Sequence, residues 1–388
     1  MNYEHILDLF KAEILNLSKN IYEFAELGSE EFKSSKLLVD SLRRHGFKVQ
    51  YPYLNMATAF KAEYGEGTPV IGLLAEYDAL PNGHACGHNL IAAWAYGTAI
   101  CMSKIIKKGK IIVFGTPAEE GRGKYAGSKA IMAKKNAFKD VDFVIGMHPD
   151  DKWRVGDKTL ADITLQIIFK GKTAHMAASP EKGANALDAA VMTYVGLNNL
   201  RGWIKIDKNA VIGMIFKEGG TATNVVPDRV VMDISLRSSS SAFLNILEEK
   251  AKKLILSMGD AYGVKITIKE ITPFYDDYKS NKTINKLLEN SFKKIDIVSE
   301  NLDLLANPAS GSSDEANVSK VVPAGHIDIK VGYKDIAGHS DDFREAVNPE
   351  RAGENLFKGI TVTIDTILKI TTQPSILEKI KTEFNSTV

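Results

Sequence analysis

The chain has 388 residues, 44% hydrophobic and 25% charged, a balance that can bury a core and excludes wholesale disorder. Forty-nine basic residues against 48 acidic ones leave a net charge of +1, so no global field draws in nucleic acid or an anionic membrane. Two cysteines cannot build a disulfide framework, and a reducing compartment is the simpler expectation.

Acids and lysines interrupt the N-terminal segment too often for a signal peptide. Apolar runs such as Ile111-Ile112-Val113-Phe114 fall far short of the roughly 20 residues of a membrane span. A soluble, cytoplasmic protein is expected. Apolar positions at helical spacing predict helices over 4–27 and 30–45. Strands are predicted at 47–53 and 58–64, then at 70–75, a wholly apolar run suited to a sheet covered on both faces. A helix over 90–107, a strand over 110–115, a helix near 127–135 and a strand over 141–146 follow. A polar cluster comes after each of the three apolar strands: Glu76 to Asn89, Thr116 to Gly121, and Met147-His148-Pro149. Ligands of open α/β sheets bind beyond the carboxyl ends of the strands, so the three clusters point to one site.

The pattern changes after about residue 158. Strands at 161–170, 210–217, 229–237 and 264–271 alternate with helices at 185–200 and 241–258. This β-α-β-β-α-β order predicts a ferredoxin-like domain inserted into the first. A long helix over 349–368 returns to the first domain. The expected fold class is α/β: residues 1–158 and 273–388 form a domain with a mostly parallel central sheet flanked by helices, and 159–272 form the α+β insertion.

Eight histidines are few enough to weigh singly. His5 and His45 lie in charged, helix-like contexts; His84, His88, His148, His175, His326 and His339 lie in or just after stretches with glycine, proline, cysteine or a carboxylate. The Cys86-Gly87-His88 spacing can direct a thiolate and an imidazole to one point, although a structural cysteine beside a hydrogen-bonded histidine explains it as well. Glu119 and Glu120 are adjacent carboxylates that repel unless a cation compensates, which suggests one metal ligand and one general base. A solvated acidic pair at a helix start is the plain alternative. Cys86, His88, Glu120, His148 and His339 make five ligand-type residues at strand ends or in glycine-flanked loops. Five exceed one tetrahedral zinc site and fit two ions about 4 Å apart with a shared water.

Six segments then carry a resemblance: His-Ala-Cys-Gly-His-Asn, Pro-Ala-Glu-Glu-Gly, Met-His-Pro, Gly-Lys-Thr-Ala-His, Thr-Asn-Val-Val-Pro-Asp and Gly-His-Ser. In order and spacing the chain resembles peptidase family M20, in its amidohydrolase subfamily, from about Phe24 to about Glu345. Leu-Ala-Glu-Tyr-Asp-Ala-Leu-Pro and Gly-Ser-Ser-Asp are similar to the subgroup of p-aminobenzoyl-glutamate hydrolase B subunits and peptidase M20 domain-containing protein 2. The resemblance implies two divalent ions in each copy of the chain, zinc or manganese, held by Cys86, His88, Glu120, His148 and His339, with Cys86 as the bridge. It implies Glu119 as general base and Asp78 as the aspartate orienting a ligand histidine. His175 falls on a histidine of the inserted lid or dimerisation domain that, in dimeric relatives, reaches the partner's active site and stabilises the oxyanion. Asn224 and Arg237 fall near positions that contact the substrate. A homodimer acting on a dipeptide or N-acyl amino acid is implied, with amide hydrolysis as the reaction.

Two positions depart from the pattern. Asn89 stands where many relatives have Asp, which removes a charge near the ligands, and Glu315-Ala316 fall in a loop expected near the substrate. Other readings remain for single residues: a loop histidine for His175, a turn for Asn224, a surface ion pair for Arg237, structural roles for His326 and Cys101. A non-catalytic peptide- or metal-binding protein on the same fold is the competing function, disfavoured by the intact ligand set. A zinc deaminase lacks support because no Pro-Cys-x-x-Cys pair is present.

Overall fold

The computed structural model describes residues 3–204, 210–305 and 311–386. The chain divides into two units. The first takes everything up to Lys158 and the chain from Tyr278 on, apart from a short stretch ending at Ser312; that stretch and Thr159–Asp277 form the second.

In the first unit α1 (Tyr3–Phe24) buries Ile6, Leu7, Ile14, Leu17 and Ile21, one face of a helix. It is followed by α2 (Phe32–Arg44), β1 (Lys48–Gln50), β2 (Phe60–Glu66), β3 (Val70–Ala75), α3 (His88–Ile105), β4 (Gly109–Gly115), α4 (Ser128–Lys134), β5 (Phe143–Asp150) and β6 (Arg154–Val155). The second unit holds β7 (Ala161–Lys170), α5 (Ala186–Asn199), β8 (Val211–Glu218), β9 (Arg229–Ser238), α6 (Ser241–Ala261) and β10 (Lys265–Glu270). The chain returns to the first unit with α7 (Lys282–Lys294), β11 (Glu300–Asn301), α8 (Glu315–Val321), β12 (Ala324–Lys330), α9 (Asp341–Ala346), α10 (Pro349–Thr372) and α11 (Pro374–Ser386).

The first unit's sheet has the order β1-β2-β4-β3-β5-β12-β6-β11. Its centre, β4, β3, β5 and β12, is parallel, so four carboxyl ends open on the same edge. Toward the margins β1–β2, β2–β4 and β6–β12 are antiparallel pairs, and β11 pairs parallel with β6. Every residue of β3 is buried, as a strand covered on both faces requires. On one face α3 is buried from His88 to Ser103, which explains why it is apolar all round. A Cβ on its Gly97 would stand 2.8 Å from Ile14 of α1 and from Ile360 of α10, so the three helices pack this closely only around a glycine. On the other face Met132, Phe138, Val144, Ala316 and Val318 form a smaller core.

The second unit's sheet, β10-β7-β9-β8, is antiparallel throughout. The inward positions of β7, such as Ile163, Leu165, Ile167 and Phe169, join Ala186, Ala190, Leu244 and Leu247 of α5 and α6 in a core of their own.

Several expectations shift. α3 starts at His88 rather than near residue 90, and β5 runs on through His148 to Asp150 because β12 stays paired with it as far as Lys330. Glu315 and Ala316 are not loop residues; they open α8 and are buried. α7 adds a helix to those expected, although its buried Ile284, Leu288 and Phe292 recur every four residues.

Candidate metal centre and hydrolytic site

The segment after β3 carries the first cluster. Glu76 and Asp78 are buried directly beyond the strand, and Cys86 lies in the turn that leads into α3. Gly87 makes that turn at φ +81, and a Cβ there would meet Pro149 Cγ at 2.4 Å. Only glycine lets the turn lie this close to the end of β5. Cys86 Sγ consequently stands 3.3 Å from His148 Nε2.

The second cluster follows β4. Ala118, just before the two glutamates, has φ +57. Its N–H donates to the buried Glu31 Oε1 at 2.8 Å, and Thr58 Oγ1 donates to Glu31 Oε2 at 2.8 Å. Burial and the Asp78 charge push the Glu31 carboxyl up to about 7. Asp78 ties the clusters together. Its Oδ2 accepts from Glu120 N at 3.1 Å, while its Oδ1 is 2.9 Å from His88 Nδ1. His88 Nε2 then faces Glu76 Oε2 at 3.4 Å, Glu119 Oε2 at 3.8 Å and Glu120 Oε1 at 4.0 Å. His339, at φ +64 in the loop after β12, donates its N–H to Ala85 O and places Nε2 3.5 Å from Glu120 Oε1.

Ligand atoms within 4.8 Å of one another thus form two triplets sharing Cys86: Cys86, His88 and His148, and Cys86, Glu120 and His339. A third group, Glu76, His88 and Glu119, shares His88 with the first. His88 Nε2, Glu120 Oε1 and Glu76 Oε2 are buried without a hydrogen-bond partner. Such groups are costly unless something satisfies them. Metal bonds of about 2.0–2.3 Å hold the ligands of one ion about 3–4 Å apart, and the distances here span that range. The side chains therefore fit divalent cations in chemistry and in spacing.

Burial and neighbouring charges move these groups in different directions. Burial opposes the charged form of His88, but the anionic charge of Asp78 outweighs it and holds the imidazole well above its ordinary pKa. Burial lowers His148 and raises the Cys86 thiol; a bound divalent ion reverses the thiol's preference by stabilising the thiolate. Burial also raises Glu119 far above the usual carboxylate range, with Glu76 adding to it and Lys129 opposing. The sequence suggested Glu120 as the neighbour that raises Glu119; Glu76 ranks ahead of it. Lys129, which sequence reasoning missed, is fully buried between Glu76 Oε1 at 2.8 Å and Asp314 Oδ1 at 2.5 Å. Nothing in its stretch of α4 marks it out, since a lysine among apolar residues usually keeps its charge in water.

Asn89 does not face the ligands. Its amide donates to Ser18 Oγ and Val347 O, both at 3.1 Å. A carboxylate has no such donors, which accounts for Asn here. His84 is held by Ile21 O at 2.9 Å, and burial pushes its pKa down to about 3. His326 sits between Glu315 Oε1 at 3.0 Å and Asp328 Oδ1 at 3.3 Å.

His175, Asn224 and Arg237 lie in the second unit. His175 forms a bridge with Val225, and Met176 N donates to Asn224 O at 3.0 Å, so His175 and Asn224 sit on adjoining segments. His175 Nδ1 accepts from Ala177 N at 3.3 Å and Ala178 N at 3.1 Å. A nitrogen that accepts two N–H groups carries no proton, so Nε2 is the donor of the ring. Arg237 stands opposite Asp162 in the β7–β9 register, with Nε 3.5 Å from its carboxylate.

Residues 72–362 match the family described as Peptidase family M20/M25/M40. The Xaa-Arg dipeptidase of Mus musculus is 32% identical over 386 residues, covering 95% of this chain and 88% of that protein. The B subunit of the p-aminobenzoyl-glutamate hydrolase of Escherichia coli is 31% identical over 315 residues, covering 74% of this chain and 63% of that one. Among solved structures, an aminobenzoyl-glutamate utilization protein from Klebsiella pneumoniae aligns with a TM-score of 0.72 at 18% identity, covering 94% of this chain and 98% of the other. A dinuclear metal binding peptidase of the M20 family from Bacillus subtilis aligns with a TM-score of 0.66 at 20% identity, covering 92% and 99%.

Proposed function

The chain belongs to peptidase family M20, and from that premise we propose that it hydrolyses the amide bond of a small dipeptide or N-acyl amino acid at a two-metal centre. The observation that carries this reading is the convergence of the unpartnered His88 Nε2 and Glu120 Oε1 beside Cys86. Cys86, His88, Glu120, His148 and His339 would hold the ions, zinc or manganese, with Cys86 common to both. When bound, the ions lower the pKa of a shared water and polarise the substrate carbonyl.

The chain's own residues supply the rest. Asp78, bonded to His88 Nδ1, fixes the ring so that Nε2 faces the centre. Glu119 takes a proton from the attacking water and passes it to the leaving amine; a raised pKa suits both transfers. His175 donates from Nε2 to the developing oxyanion, with Asn224 beside it. Arg237 binds the substrate's carboxylate. A thiolate ligand at Cys86 suits a reducing compartment such as the cytoplasm.

The second unit acts as lid and dimerisation domain in this reading. Val191, Met192, Tyr194 and Val195 of α5 are exposed, as are Val211, Ile215 and Phe216 of the edge strand β8. The Tyr194 and Phe216 rings stack at 6.0 Å, so the exposed apolar side of α5 continues onto the edge strand at Phe216, a face suited to a second copy of the chain. Phe216→Asp is expected to give a monomer by light scattering.

Metal analysis of the purified protein, with turnover on a panel of dipeptides, N-acyl amino acids and aminobenzoyl-glutamate, tests the activity. Glu119→Ala is expected to remove hydrolysis while metal content survives. Full turnover in that variant would sink the assignment of the base, and metal without turnover on any substrate would favour a binding protein.

A further inference from the structure

Glu119 has a partner outside the ligand set. Ser313 Oγ donates to Glu119 Oε1 at 2.9 Å. The same oxygen accepts from Glu315 N at 3.2 Å, so its own proton is left for the glutamate. Asp314, the next residue, is anchored twice on α4. Its Oδ2 accepts from Lys129 N at 2.8 Å, and its Oδ1 pairs with Lys129 Nζ at 2.5 Å. Both Asp314 and the Lys129 ammonium are fully buried. The ion pair therefore pins the start of α8 to the start of α4, and the serine projects from that fixed point.

We propose that Ser313 is a positioning residue for the general base: it occupies Glu119 Oε1, and Oε2 is thereby the oxygen that takes the proton from water. The proposal rests on reading Glu119 as the base. A carboxylate's terminal torsion is broad, with two near-equivalent orientations. A donor on one oxygen selects one of them. Oε2, 3.8 Å from His88 Nε2, is left turned toward the ligand cluster. Ser313 bonds Glu119 Oε1 and lies outside the proposed metal-ligand set of Cys86, His88, Glu120, His148 and His339, so its effect falls on the proton-transfer step and not on metal loading.

The test compares kcat, KM, metal content and thermal melting for Ser313→Ala, Ser313→Thr, Glu119→Gln and the Ser313→Ala/Glu119→Gln pair. Ser313→Ala is expected to lower kcat about tenfold or more, the scale of a lost hydrogen bond to a charged group. KM and metal content are expected to hold. Ser313→Thr, which keeps the hydroxyl, is expected to recover most of kcat. The double variant is expected to be no slower than Glu119→Gln alone, because the serine acts only through the glutamate. An inactive Glu119→Gln beside a Ser313→Ala of unchanged kcat overturns this proposal and leaves the base in place. Thr as poor as Ala, or a Ser313→Ala whose metal content and melting point fall with kcat, also overturns it. Full turnover in Glu119→Gln overturns the reading of the base itself.

Discussion

Two buried histidines of the first unit stand among carboxylates. His326 of β12 has Glu315 on one ring nitrogen and Asp328 on the other, and Tyr278 O–H reaches the same Glu315 oxygen at 3.4 Å. His88, at the start of α3, has Asp78 on Nδ1, while Nε2 has acidic neighbours but no hydrogen bond. Burial, charge and residue types are alike. The clusters differ in closure. The His326 group satisfies itself and reads as a structural ion pair; the His88 group leaves polar atoms of Glu76, His88 and Glu120 turned on one another. An internally satisfied cluster gains nothing from a ligand, whereas an open one is stable only with something between its members.

Substitutions that open the closed cluster should damage the fold alone. His326→Ala leaves Glu315 and Asp328 without their shared cation, and a loss of about 3–5 kcal/mol of stability is expected by denaturant unfolding, with metal content unchanged. Equal loss of metal would erase the distinction between the clusters. The same histidine carries a pH signature. Burial works against its charge, but Glu315 and Asp328 hold its folded-state pKa well above 6.5. A raised histidine pKa means that the stabilisation is fully present below the unfolded pKa and is lost as pH rises through the folded one. The stability gap between the parent and His326→Gln is therefore expected to be widest near pH 6 and to narrow in alkaline buffer. Asp78→Asn probes the open cluster: metal affinity should fall about 10- to 100-fold in a chelator titration while melting changes little. The smallest effect is expected at Arg237, whose ion pair with Asp162 is partly exposed. Arg237→Ala should cost no more than about 1 kcal/mol of stability, and a rise in KM would separate substrate binding from that ion pair.

Much of this was legible in the chain itself. The wholly apolar 70–75 run is the buried strand β3, and the β-α-β-β-α-β order appears as the second unit's four-stranded sheet. The polar clusters after the apolar strands do meet at one sheet edge, because parallel pairing puts the ends of β3, β4, β5 and β12 side by side. Less was legible where a residue's partner is remote in sequence. Lys129 meets Asp314 across 185 positions, and Ser313 meets Glu119 across 194. Periodicity and local motifs carry no trace of such pairs.

The sequence by itself determined most of the larger elements, their order and the residue types able to hold a cation, since hydrophobic period and side-chain chemistry are local properties. Tertiary structure decided which histidine is open and which is closed, that Asn89 serves the helix packing, and that Glu76, Lys129 and Ser313 surround Glu119. These depend on which oxygens and nitrogens are left without partners after the chain is packed, a quantity that exists only in three dimensions.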